Sequence, residues 1–122
     1  MKVVNLTNEN FESTIMSCEM VLIDFWAPWC APCRNFSPIY EAVAAKYPHL
    51  IFGKVNVDEC GELVRDFNVQ SIPMLLIFRK EFLVFAGDGL MPAVALEELI
   101  AQGLNLSMTE METASRGNKE VK

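Results

Sequence analysis

Two cysteines, Cys30 and Cys33, stand either side of Ala31 and Pro32. On a helix, residues three apart share a face, with Cβ atoms roughly 5–6 Å apart. A disulfide needs Cα atoms about 4.4–6.8 Å apart. Such a pair can open and close with little backbone movement. The pair follows the apolar run Met20–Ala27 (MVLIDFWA) and opens a stretch of helical periodicity. Cys30 therefore falls at a helix N-terminus, where unpaired N–H groups and the helix dipole favour negative charge. An unperturbed thiol, pKa about 8.5, is about 3% thiolate at pH 7, whereas one shifted to about 7 is roughly half ionised. The thiolate is the nucleophile. Cys30 is thus expected to attack a disulfide, and Cys33, one turn further in, to resolve the product. Pro32 lacks an N–H that the first turn leaves unpaired anyway, and its fixed φ stiffens that turn.

Competing readings of the pair are half of a zinc site or two unreactive thiols. Zinc would need a second close pair of ligands. The remaining cysteines, Cys18 and Cys60, are far apart in sequence, and the only histidine is His49. No metal site is expected. A C-x-x-C on a βαβ unit is the pattern of a redox dithiol. Asp24 interrupts the apolar run before the pair. If it is buried, its ionised form is costly and its pKa rises, and a carboxylate so raised can take the proton from Cys33. If it lies at a strand end, it simply meets water. Trp29, beside Cys30, is expected to flank a substrate groove, and Trp26 to join the core.

The elements that position these residues alternate. Lys2–Asn5 is a short strand. Thr7 or Asn8 caps a helix that buries Phe11 and Ile15. Met20–Ala27, nearly continuously apolar, is a strand covered on both faces. A helix from about Cys30 to Tyr47 repeats Phe36, Ile39, Tyr40, Val43 and Tyr47, with Pro38 inside it. Strand Leu50–Val57, helix Glu59–Phe67 and strands Met74–Arg79 and Phe82–Ala86 follow, the last two joined by a tight Lys80–Glu81 turn. Pro92 opens a final helix burying Val94, Leu96, Leu99 and Ile100 and stopping near Gly103. Alternation predicts an α/β domain: a central, mixed but mostly parallel five-stranded sheet with helices on both faces and an antiparallel closing hairpin.

The chain has 122 residues, 52% hydrophobic and 21% charged, with a net charge of −6. That is one globular domain, expected over residues 1–106, followed by a polar tail, 107–122, frayed beyond Ala114. The tail carries no net charge, so the acidity belongs to the domain. An acidic chain without a basic patch fits neither nucleic acid nor an anionic membrane surface. No apolar stretch is long enough to span a bilayer. The N-terminus turns polar at Asn5 and lacks a secretory signal, so the expectation is a cytoplasmic protein, and a monomer.

The segment FWAPWCAPCR (Phe25–Arg34) is similar to the active-site signature of the thioredoxin family. The resemblance covers most of residues 1–106. It implies the thioredoxin fold and a thiol–disulfide oxidoreductase that reduces disulfide-containing proteins. It makes Asp24 the buried acid of the central strand and Lys54, in KVNVD, the lysine that approaches and tunes it. It places Ile72–Pro73 in a loop whose proline is cis and faces the dithiol, and Gly89 in the substrate groove. Pro38 matches a helix-kinking proline. Electrons would come from NADPH through a thioredoxin reductase, with no metal or cofactor bound to this chain. Some family members carry a thiol near the position of Cys60 that permits regulatory oxidation. Two departures stand out: Ala31 replaces the usual glycine between the cysteines, and Lys80–Glu81–Phe82 lacks the usual turn glycine. The same dithiol could serve as an oxidase or isomerase, or the surface could bind partners without turnover.

Overall fold

A computed structural model describes residues 3–121. The expected start of the first strand at Lys2 lies outside them. Strands β1 (Val3–Asn5), β2 (Met20–Trp26), β3 (Ile51–Asn56), β4 (Met74–Arg79) and β5 (Phe82–Asp88) form one sheet in the order β1-β3-β2-β4-β5. Helices α1 (Phe11–Met16), α2 (Ala31–Lys46), α3 (Gly61–Asp66), α4 (Ala93–Leu104) and α5 (Met108–Val121) complete it. β2 is buried along almost its whole length, as a run apolar but for Asp24 favours.

The sheet is mixed, but less parallel than alternation suggests. β1 with β3 and β3 with β2 are parallel; β4 runs antiparallel to β2 and to β5. The reason lies in α3. Six residues of helix span about 9 Å, whereas a six-residue strand runs about 20 Å. So short a helix does not return the chain to the far end of the sheet. β4 begins beside the end of β2, with Met74 opposite Phe25.

Two apolar layers sandwich the sheet. Phe36, Tyr40, Val43, Leu96 and Ile100, from α2 and α4, cover one face. Phe11, Ile15 and Leu63, from α1 and α3, cover the other. Tyr40 lies fully inside, and its hydroxyl donates to the Gly53 carbonyl at 2.8 Å. A Cβ on Gly53 would come within 2.6 Å of Leu6, so only glycine lets Leu6 seat there. At the entry to α1, Thr7 and Asn10 exchange hydrogen bonds: Thr7 N donates to Asn10 Oδ1 and Asn10 N to Thr7 Oγ1. Arg79 is buried, with Nη1 donating to the Gly103 carbonyl at the end of α4 and Nη2 3.4 Å from Glu19. The guanidinium thus meets the negative end of that helix.

Two expectations are corrected and one is refined. Val94 faces out, 66% exposed. Leu96, Ile100 and Gly103 define the inner stripe of α4, and a residue two before Leu96 lies about 200° round the helix from it. The β4–β5 connection is the expected two-residue turn, but Lys80 and Glu81 both take positive φ, 47° and 74°. This is the sign pattern that matches strand twist, and it ordinarily selects Asn and Gly. Finally, among the described residues the chain beyond Ala114 continues as helix to Val121. Residues Met108–Val121 form α5, which buries Met111 and Ser115. Its start is a reciprocal capping box: Ser107 N donates to Glu110 Oε1 at 2.8 Å, and Glu110 N to Ser107 Oγ at 3.1 Å. That signal, S-x-x-E, stands in the sequence.

Candidate active site

The end of β2 feeds a turn, Ala27–Cys30, and then α2. Cys30 is the N-cap of α2, in an extended conformation, and Pro32 occupies the first turn. The Cys30 carbonyl accepts from Arg34 N, and the Cys33 N–H donates to Cys30 Sγ at 3.2 Å. A cap sulfur in this position receives a backbone donor and the positive helix end together, which favours its thiolate when the bond is open. Cys30 and Cys33 are joined in a disulfide, with Cα atoms 5.2 Å apart. Cys33 is 2% exposed and Cys30 5%, so the oxidised pair is sheltered on all but one rim. Ala31 and Pro32 are themselves exposed on that rim.

Beneath the pair lies a cavity of about 90 Å³ lined by Asp24, Trp26, Cys33, Arg34, Ser37 and Lys54. Asp24 is buried, and its Oδ1 has no hydrogen-bond partner among the described residues. Burial lifts its pKa from 3.8 to about 7, and the charge of Lys54 offsets this only in part. Asp24 and Lys54 are register partners on β2 and β3. The ammonium makes no ion pair with the carboxylate; Nζ sits 4.9 Å from the Trp26 ring centre. Trp26 is half-buried and walls the cavity, rather than being sealed in the core as its sequence position suggested.

Above the pair, Ile72–Pro73 is a cis peptide bond, and Cys30 Sγ lies 3.8 Å from the Ile72 carbonyl oxygen. Gly89 N donates to the Pro73 carbonyl at 2.9 Å. A Cβ on Gly89 would lie 3.1 Å from Pro73, so a bare backbone permits this close approach. Trp29 is 67% exposed. Cys30, Cys33, Asp24, Lys54, Ile72, Pro73 and Gly89 are thus gathered at one end of the sheet, at the junction of β2, β4 and α2.

Two residues at this end escaped the sequence reading. The Trp29 indole N–H donates to both Asp58 oxygens, at 3.0 and 3.3 Å, which fixes the ring beside the disulfide. Arg34 Nη1 donates to the Pro28 carbonyl at 2.8 Å and ties α2 to the turn before it. Asp58 lies in the turn after β3, 29 positions from Trp29, and no local spacing points to that pairing. Cys60 lies apart from this cluster. It is the N-cap of α3, makes no side-chain cap bond, and is 3% exposed, with its thiol 3.8 Å from the Leu6 carbonyl. Burial raises its pKa, and Glu59 raises it further. The helix terminus therefore does not make it an open, acidic thiol. Cys18, half-buried, donates to the His49 carbonyl. No cluster of three or more His, Cys, Asp or Glu side chains suited to a metal ion occurs among the described residues.

A sheet of this order carrying a dithiol at a helix N-terminus defines a thiol–disulfide exchange protein. The thioredoxin family model matches residues 2–102, and the chain belongs to that family. Putative thioredoxin 2 of Streptomyces coelicolor is 47% identical over 111 residues, covering 91% of this chain and 83% of its own length. Thioredoxin of Buchnera aphidicola (subspecies Acyrthosiphon pisum) is 32% identical over 106 residues, 85% of this chain and 98% of its own. A Plasmodium falciparum thioredoxin structure superposes with a TM-score of 0.74 at 33% identity, covering 81% of this chain and 97% of that one. A mutant thioredoxin from Halobacterium salinarum superposes at 0.79 with 27% identity, covering 86% and 93%. The chain is a thioredoxin-type thiol–disulfide oxidoreductase, a disulfide reductase whose redox pair is Cys30 and Cys33.

Proposed function

We propose that the protein reduces disulfides in other proteins, with Cys30 as nucleophile, Cys33 as resolving thiol and Asp24 as proton acceptor. The reading rests on one observation above all: the dithiol closes within the first turn of α2, directly over a cavity that Cys33 shares with a buried carboxyl. Cys30 thiolate attacks a substrate sulfur and expels the other substrate sulfur as thiolate, forming a mixed disulfide. Cys33 then loses its proton and attacks Cys30 Sγ. The Cys30–Cys33 bond forms, the second substrate thiol leaves, and two electrons have passed to the substrate. Asp24, Arg34, Ser37 and Lys54 give the cavity polar partners, and water occupies about 30 Å³ in the liquid, so it has room for a relay between Cys33 and Asp24. A carboxyl titrating near 7 both accepts and returns a proton at neutral pH.

Trp29, Ile72, Pro73 and Gly89 form the substrate groove. Ala31, Pro32 and Lys54 tune the pair: the first two set the backbone between the sulfurs, and Lys54 acts through Asp24. Regeneration falls to a thioredoxin reductase drawing on NADPH, with no metal or cofactor held by this chain. The family's habit supports a cytoplasmic site of action. No helix among the described residues is long and apolar enough to cross a membrane. The test is a trapping experiment. Cys33→Ser should accumulate covalent substrate complexes that a reductant releases, and Cys30→Ser should not. Equal trapping by both variants would overturn the assignment of roles. Equilibration against a glutathione buffer separates the reductant from an oxidase or isomerase: about −270 mV marks the former, and about −120 mV a strong oxidant.

A further inference from the structure

We propose that Asp88 sets the substrate class of this site by favouring disulfides whose cysteine is flanked by lysine or arginine, a proposal that rests on Trp29, Ile72, Pro73 and Gly89 forming the substrate groove.

Strand register places the carboxylate. Met74, the residue after Pro73, is the Cα partner of Phe25 on β2 and of Asp88 on β5. Directly opposed residues of antiparallel strands share a face of the sheet. Phe25, Met74 and Asp88 therefore stand on the face that α1 and α3 cover, where Ile72 also packs. Asp88 is joined to Gly89, whose N–H donates to the Pro73 carbonyl at 2.9 Å. Cys30 Sγ lies 3.8 Å from the carbonyl oxygen of Ile72, the residue before Pro73. One tight run of backbone thus connects the reacting sulfur with Asp88. The Asp88 side chain is exposed and makes no ion pair among the described residues.

The charges around the dithiol are sorted by face. Side chains alternate along a strand, so Asp24, one residue before Phe25, points to the α2 side with its register partner Lys54. Arg34, on α2, lines the same cavity. Both cations are engaged there: Lys54 Nζ lies 4.9 Å from the Trp26 ring centre, and Arg34 Nη1 donates to the Pro28 carbonyl. On the α3 side stand two carboxylates. Asp58, in the turn between β3 and α3, is committed to the Trp29 indole. Asp88 is free to pair. A disulfide that reaches Cys30 from this side carries its neighbouring residues past Asp88, which attracts an ammonium or guanidinium and repels a carboxylate. The pair stays in water, so the discrimination is about two- to fivefold in kcat/KM, and it fades as salt rises.

Three symmetric peptide disulfides test this, identical except for lysine, glutamine or glutamate on either side of the cysteine. Each rate is divided by that of dithiothreitol on the same peptide, which removes the peptide's own reactivity. The wild type should favour the lysine peptide over the glutamate peptide at low salt. Asp88→Asn should lower that ratio about two- to fivefold, and Asp88→Lys should lower it further. Glu98→Gln removes the same charge from an exposed position on α4 and should leave the ratio where it was. An unchanged ratio in both Asp88 variants overturns the proposal, and so does an equal fall in Glu98→Gln. Trp29→Ala tests the groove by itself, because it should slow the uncharged glutamine peptide. A rate that does not fall would remove the groove, and the role of Asp88 with it.

Discussion

Removing the charge of Asp24 should stabilise the fold, and only at high pH. The carboxyl is 4% exposed and titrates near 7 in the folded chain against 3.8 for a free side chain. Each tenfold change in acidity is worth about 1.4 kcal/mol, so ionised Asp24 costs the folded state about 4 kcal/mol. The sign follows from proton counting. Between about pH 4 and about pH 7 the folded chain holds a proton that the unfolded chain has released, so stability falls as pH rises and levels off beyond. Asp24→Asn abolishes that titration. Its amide must still be satisfied beside the cavity, and an unpaired group there costs about 1–3 kcal/mol. The variant should therefore exceed the oxidised wild type by about 1–3 kcal/mol well above pH 7 and lose the whole advantage near pH 4. Urea unfolding of both oxidised proteins at the two pH extremes measures this. The same variant should resolve mixed disulfides more slowly near neutrality. A stability difference that does not change with pH would refute the buried-acid argument.

Other outcomes follow from particular residues. Glu81→Gly relieves a side chain held at φ 74° in a two-residue hairpin and should stabilise the fold by roughly 1 kcal/mol, raising the urea midpoint at constant m-value; an unchanged or lower midpoint would contradict this. In the oxidised protein, iodoacetamide should modify Cys18 while Cys60 reacts only as fast as the chain opens, because Cys60 is buried and its pKa raised. Mass spectrometry of a time course checks this, and equal labelling of the two thiols would restore Cys60 as a regulatory candidate.

What the sequence made legible was local. The nearly continuous apolar run of β2, the helical repeat of α2 and the Cys-x-x-Cys spacing each carry their meaning within a few residues. The contacts that finish the site do not. Asp58 grips Trp29 across 29 positions, and Cys30 approaches Ile72 across 42. Only the assembled sheet brings them together. The antiparallel course of β4 is of the same kind, since alternation alone favours parallel strands and the shortness of α3 decides otherwise. The tail was misread for a different reason. Its polarity is that of a frayed end, and the capping box at Ser107 and Glu110, with one buried methionine, outweighs it. Val94 was misplaced because an apolar residue at the start of a helix satisfies composition without lying on the inner stripe.

The antiparallel contact between β2 and β4 has a consequence for quality control during folding. Phe25 lies opposite Met74, five residues before the nucleophile on one strand and one residue after Pro73 on the other. A slip of one residue between these strands would turn every side chain of β4 to the wrong face. It would also drag the proline loop away from the sulfur. A mispaired chain thus keeps its dithiol but loses the loop that lies against it, and turnover in the native groove reports that the central strands have found their alignment.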